Sequence, residues 1–195
     1  MKPDPVSNPK AAPQLPDEAE LVRRVAEKDH RAFDVLYRTY YRRLTRFLEQ
    51  LTRRPHLTEE ALNDTMLVVW KKAHTFDGSS RVSTWILGIA YRKALKAVKR
   101  SSDPYDADSG VEIRSGTEGP ETEAIRSESR AHVGRALAAL SVEHRAVVEL
   151  TYYHGYAYRE ITGIVGCPVG TVKTRMFHAR RKLKVLLSSA RGEPI

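Results

Sequence analysis

The chain has 195 residues, 41% hydrophobic and 29% charged, enough for one large domain or two small ones with modest cores. Its net charge of +9 points to a polyanionic partner, either nucleic acid or an anionic membrane surface, although basic solubility alone gives the same sign. The single cysteine, Cys167, excludes an intramolecular disulfide and a cysteine-based zinc cluster.

Residues 1–16 read as a disordered lead, proline-bearing and aperiodic, without the apolar stretch of a secretory peptide. Asp17, followed three residues on by Glu20, predicts a helix start of the capping-box kind. From about 29 to 53, Phe33, Tyr37, Tyr40, Leu44, Phe47 and Leu51 recur every three or four positions. That spacing marks one face of a long amphipathic helix, which Pro55 stops. Thr58 with Glu59 and Glu60 predicts the next helix start, on a stripe of Leu62, Met66, Val69, Trp70 and Ala73. Gly78, Ser79 and Ser80 form a loop. A helix over about 82–100 then turns Trp85, Ile86 and Ile89 inward.

Residues 101–122 are acidic, aperiodic and rich in Gly, Ser and Pro, which predicts a linker. A flexible chain of about 20 residues reaches roughly 25 Å, so the modules it joins could occupy separated sites on one DNA. Beyond it, helices are expected at about 123–140, 142–154, 157–165 and 168–187, with Ser141 capping the second and Gly155 ending it. No run of alternating β-branched residues calls for a strand, and no run of about 18 apolar residues calls for a membrane span. The expected fold is all-α: two small helical domains, at 17–100 and 123–190, joined by a flexible linker at 101–122.

The most informative stretch runs from Tyr158 to Phe177. A short helix with Ile161, Ile164 and Val165 inward meets Gly166, where a tight helix–helix turn needs a residue tolerant of positive φ. Pro168 suits the first turn of the following helix, whose seam is Val172, Met176, Ala179, Leu183 and Leu186. The other face carries Lys173, Thr174, Arg175, Phe177, His178 and Arg181. No acid occurs between Glu160 and Glu193. A basic helix after such a turn suits major-groove recognition, with Lys and Arg reaching phosphates and guanine edges and Thr and Phe meeting thymine methyls. The plain alternative is a solvated basic face on an ordinary core helix.

The string from Gly166 to Arg180, with Leu140-Ser141 and the Tyr158-Arg-Glu-Ile helix before it, resembles region 4 of the extracytoplasmic-function (ECF, group 4) sigma factors of the sigma-70 family. The resemblance implies a module that reads the −35 promoter element through Thr171, Lys173, Thr174, Arg175, Phe177, His178 and Arg181. Two positions depart from the family pattern. Ala157 stands where a capping Ser is usual, weakening that helix start by around 1 kcal/mol. His178 stands where Arg is common, which removes one contact or makes it pH-dependent.

The first half carries the same resemblance independently. Residues 29–53 resemble sigma region 2.1, and Leu62 to Lys72 resembles region 2.2, which docks on the clamp coiled coil of core RNA polymerase. The resemblance implies Glu60, Asp64, Leu67 and Lys71 as contacts, with Val69 and Trp70 as core. Residues 76–100 resemble regions 2.3 and 2.4, which melt and capture the −10 element. This stretch implies Ser80, Arg81, Ser83, Thr84, Arg92, Lys93 and Lys96 as DNA contacts, and its cluster of cations without an acid after Asp77 suits single-strand binding. Val82, the Tyr91-Arg92 pair and Lys96 depart from the usual residues and bear on the −10 preference. In all, the resemblance covers about 17–100 and 123–187.

It implies a bacterial, cytoplasmic transcription initiation factor rather than an enzyme, with core polymerase, promoter DNA and an anti-sigma protein as partners and with no cofactor or metal. The main alternative is a helix-turn-helix activator that binds DNA without being a sigma subunit. An enzyme is less well served. The Val172-Lys173-Thr174 run lacks the glycine of a phosphate loop, and the histidines show no metal-ligand spacing. A peripheral membrane protein would not need the turn at Gly166.

Overall fold

A computed structural model describes residues 17–101 and 131–188. The expected lead at 1–16, the linker beyond residue 101 and the first part of the helix expected at 123–140 lie outside the described residues. Those residues form helices α1 (Glu18–Ala26), α2 (His30–Thr52), α3 (Pro55–Lys72), α4 (Val82–Ser101), α5 (131–138), α6 (Val142–Tyr152), α7 (Tyr158–Val165) and α8 (Val169–Ser188). A 3₁₀ turn at Ala73–Thr75 follows α3, and no strand occurs among the described residues.

Local chemistry accounts for the boundaries. The Asp17 carboxylate accepts from Ala19 N at 3.0 Å and starts α1. Glu20 does not complete the expected capping box. It pairs instead with Arg23, 2.6 Å away, because a charge-assisted bond to guanidinium outcompetes a neutral amide. Asp29 starts α2 by accepting from Arg31 N and Ala32 N, and its 2.6 Å bridge to Arg24 fixes the α1–α2 corner. Arg53, in the left-handed region at φ 57°, ends α2. Pro55 then sits in the first turn of α3, where its missing N–H loses nothing. Thr58 therefore does not open α3 as expected. It is buried in the first turn, with its hydroxyl 2.7 Å from that of Thr52.

The first core gathers Leu36, Tyr40, Leu44, Phe47, Leu48 and Leu51 of α2 against Ala61, Met66 and Val69 of α3 and Ile86, Leu87 and Ala90 of α4. Phe33 and Tyr37 of the expected stripe are only half-buried, while Leu36 and Leu48 carry its centre. Trp85 rests half-buried against Phe76. The second core joins Ala146, Val147 and Leu150 of α6, Ile161 and Ile164 of α7, and Val172, Met176 and Ala179 of α8.

The two cores are continuous. α2 packs on α6 and α4 on α7, so the two sets of helices lie against each other rather than standing apart.

Candidate nucleic-acid interface

The turn between α7 and α8 is built by its backbone. Gly166 takes φ 68°, its amide donates to Thr162 O at 2.9 Å, and the chain reverses into α8. At the other end of α7, Ala157 offers no capping side chain, as its identity predicts. Half of a capping box survives nonetheless, because Ala157 N donates to Glu160 Oε2 at 2.9 Å. The inward faces, Ile161 and Ile164 on α7 and Val172, Met176 and Ala179 on α8, are fully or almost fully buried. The expected seam stops there, since Leu183 and Leu186 are only half-buried where α8 runs on toward its end.

The opposite face of α8 is open. Thr171, Lys173, Thr174, Phe177, His178 and Arg181 are exposed, with Phe177 at 62%. No acid lies on α8. The hydroxyl of the exposed Thr174 donates to Gly170 O at 3.0 Å. His178 packs its ring near those of Phe177 and His144. Burial, and the neighbouring His178 after it, hold His144 below the ordinary imidazole range. Arg175 differs from the rest of this set. It is half-buried and donates to Cys167 Sγ at 3.7 Å. Arg180 extends the basic face and donates to the exposed Tyr152 hydroxyl at 3.0 Å.

On α4 the expected −10 residues divide. Arg92 and Lys96 are exposed, as is Ser80 in the preceding loop. That loop is held by Asp77, which accepts from the amide and hydroxyl of Ser79. Ser83 and Thr84, in contrast, are only 8% and 7% exposed, so neither lines an open pocket here. Arg81 reaches Glu160 of α7 at 3.0 Å, and Lys93 reaches Asp64 of α3 at 2.8 Å.

The expected polymerase contacts, Glu60, Asp64, Leu67 and Lys71, follow one face of α3 at spacings of four, three and four. Glu60, Leu67 and Lys71 are exposed and Asp64 is half-buried. Glu60 also pairs with Arg100. The α3 acids and α4 cations thus face each other across a shallow polar groove lined by Glu60, Asp64, Lys93, Lys96 and Arg100.

A third polar group lies between the two sets of helices. Where α2 meets α6, Arg43 donates to the Tyr156 hydroxyl at 2.8 Å and to His154 Nδ1 at 3.3 Å. Arg46 lies 4.0 Å from Glu149, itself only 3% exposed. Burial pushes Glu149 up to about 7 and His154 down to about 4. Arg145, also buried, donates to Gln50 O at 2.9 Å and Leu140 O at 3.0 Å. The one signal of this cluster in the sequence is the lone acid in the apolar run from Ala146 to Leu150.

Among the described residues no group of three or more metal-ligating side chains comes together, and no helix is long and apolar enough to cross a membrane.

Residues 36–103 match the family model of sigma-70 region 2, and 131–183 match that of sigma-70 region 4. The chain is 30% identical over 173 residues to the ECF RNA polymerase sigma factor RpoE of Cereibacter sphaeroides, covering 84% of this chain and 92% of that protein. It is 29% identical to the ECF RNA polymerase sigma-E factor of Haemophilus influenzae, covering 89% and 96%. Among solved structures, the sigma factor RpoE of Bartonella quintana, in complex with the anti-sigma factor NepR, aligns with a TM-score of 0.62 and 27% identity over 80% of this chain and 96% of that one. CnrH, solved with the cytosolic domain of CnrY, shares the fold at a TM-score of 0.65 and 23% identity, covering 88% and 97%.

Proposed function

The chain belongs to the extracytoplasmic-function branch of the sigma-70 family of RNA polymerase sigma factors, and we propose that it works through three faces, those of α3 and α4 adjoining. It directs core polymerase to promoters. The face of α8 bearing Thr171, Lys173, Thr174, Arg175, Phe177, His178 and Arg181 enters the major groove of the −35 duplex. Its cations hold phosphates and guanine edges, while the Thr174 methyl and the Phe177 ring meet thymine methyls. The α4 surface, with Ser80 and Arg81 before it and Ser83, Thr84, Arg92, Lys93 and Lys96 along it, takes the unpaired −10 strand. The α3 face of Glu60, Asp64, Leu67 and Lys71 docks on the polymerase clamp. No covalent step is involved, so the protein is an initiation factor and not an enzyme. The helices at 17–101 form the polymerase and −10 module, those at 131–188 the −35 module.

The observation that carries this reading is the exposed, acid-free basic face of α8 directly after the Gly166 turn. Counterion release from that face makes DNA binding steeply salt-dependent. The protein acts in the bacterial cytoplasm, where core polymerase is found. The complex of the Bartonella quintana sigma factor with NepR supports an anti-sigma protein as the regulator of this chain too.

Co-purification of the full chain with bacterial core RNA polymerase tests the assignment. The wild type is expected to bind core at stoichiometry, and Asp64→Ala combined with Leu67→Ala to bind it more weakly. Duplex DNA binding without any association with core would make the protein a free-standing activator instead.

A further inference from the structure

A second imidazole stands beside the exposed His178 of α8. The His178 ring lies 6.2 Å from that of His144 in α6 and 5.5 Å from that of Phe177, so three rings form a chain from α6 onto the open face of α8. His144 is half-buried, and its backbone is fixed because its amide donates to the Ser141 hydroxyl that caps α6. Neither ring makes a hydrogen bond among the described residues. His178 therefore keeps both nitrogens for an acceptor from outside, and in an imidazolium both are donors.

The surroundings of the pair decide which ring takes a proton. Burial, then His178, oppose a charge on His144. Glu143 next to it favours the charge, and Arg175 and Lys182 of α8 oppose it again. Lys182 is held at this place by its bond to Ala139 O, in the turn before α6. Tyr91 of α4, which meets Arg175 and Glu143, is pushed up by burial and brings no charge. On α8 itself no acid is present to hold a charge on His178. An anion that favours that charge has to come from outside, and duplex DNA brings a row of phosphates.

We infer that His144 is a positioning residue for the −35 contact: its ring holds the His178 imidazole at the edge of the α8 face, where His178 grips a phosphate as an imidazolium. This rests on the assignment of α8 to −35 duplex. A proton is taken up as DNA binds, so duplex affinity rises as pH falls through the imidazole range. An arginine in place of His178 would hold the phosphate at every pH. The contact carries one charge and not two, because His144 stays neutral beside it. A phosphate contact reads no base, so its titration changes affinity for all sequences alike.

Binding of the full chain to a fluorescent DNA duplex of mixed sequence, followed by anisotropy over a range of salt at pH 6 and at pH 8, tests this. One added charge on phosphate steepens the slope of log affinity against log salt by about 0.9. Wild type is expected to show that steepening at pH 6 and to bind about threefold tighter there. His178→Gln and His178→Arg should each keep one slope at both pH values. His144→Ala should lose most of the steepening, while His144→Phe, which keeps a neutral ring, should retain it. Steepening in His178→Gln, full steepening in His144→Ala, or a His144→Phe protein that behaves like His144→Ala overturns the inference. A wild-type change of about 1.8 overturns it too, because both imidazoles would then be charged. Failure of the −35 assignment is separable, since it appears as a Lys173→Ala protein whose slope equals that of wild type at both pH values.

Discussion

Glu149→Gln is expected to stabilise the protein above neutral pH and to change little near pH 5. The carboxyl is buried between α2 and α6, and burial raises it from 4.5 to about 7, with Arg46 at 4.0 Å only partly opposing. The folded state thus holds a proton that the unfolded chain releases above its ordinary value. The resulting stability is fully present below about pH 4.5 and is lost as pH rises to about 7. At 1.36 kcal/mol per unit, the loss at pH 8 is about 3 kcal/mol. An amide of the same shape removes that loss but gives up the Arg46 contact, so a net gain of about 1–3 kcal/mol remains. For a chain of this size that raises the midpoint by on the order of 5 °C. His154 runs the other way. Lowered to about 4, it withdraws stability as pH falls from about 6.5, so it does not confuse comparisons made above pH 7. Thermal unfolding followed by helical circular dichroism at pH 5, 6, 7 and 8 reads the difference. A Gln variant less stable than wild type at pH 8, or offset equally at every pH, refutes a protonated Glu149 at this seam.

Gly166→Ala forces a β-carbon into the left-handed region at φ 68° and should lower stability by about 1 kcal/mol, visible in urea melts, while Gly166→Asn should recover most of it. Ser141→Ala removes the acceptor for His144 N and should lower stability by about 1 kcal/mol in the same melts. Lys173→Ala and Arg175→Ala should each weaken −35 duplex binding by about 1–3 kcal/mol in fluorescence anisotropy. Lys173→Ala should also flatten the salt slope by about one, and unchanged affinity in both variants would remove α8 as the reading face.

Much of this fold could be read from local pattern. The α2 stripe, the Ser141 cap, the Gly166 turn and the α8 seam all depend on neighbours within about one helical turn, where periodicity and capping chemistry operate. The misplacements were also local. The sequence pattern makes Pro55 a stop, yet it is the first-turn proline of α3, because Arg53 ends α2 in the left-handed region. Glu20 matched a capping box but found Arg23 instead.

The contact between the halves was beyond such reading. Arg145, Glu149 and His154 each look ordinary alone, and acquire meaning only from Gln50, Arg46 and Arg43 roughly 100 positions away. The same distance explains why Ser83 and Thr84 read as open pocket residues. Their cover, α7, lies on the far side of the linker region.

The central claim, that this chain gives core polymerase its promoter specificity, is tested most directly by mapping transcription starts on genomic DNA with core polymerase alone and with the full chain added. The account predicts a discrete set of new starts, each preceded by two shared sequence elements, one at −10 and one at −35. The −35 element should lose its influence when Lys173 and Arg175 are replaced by alanine. Starts identical with and without the chain would contradict it.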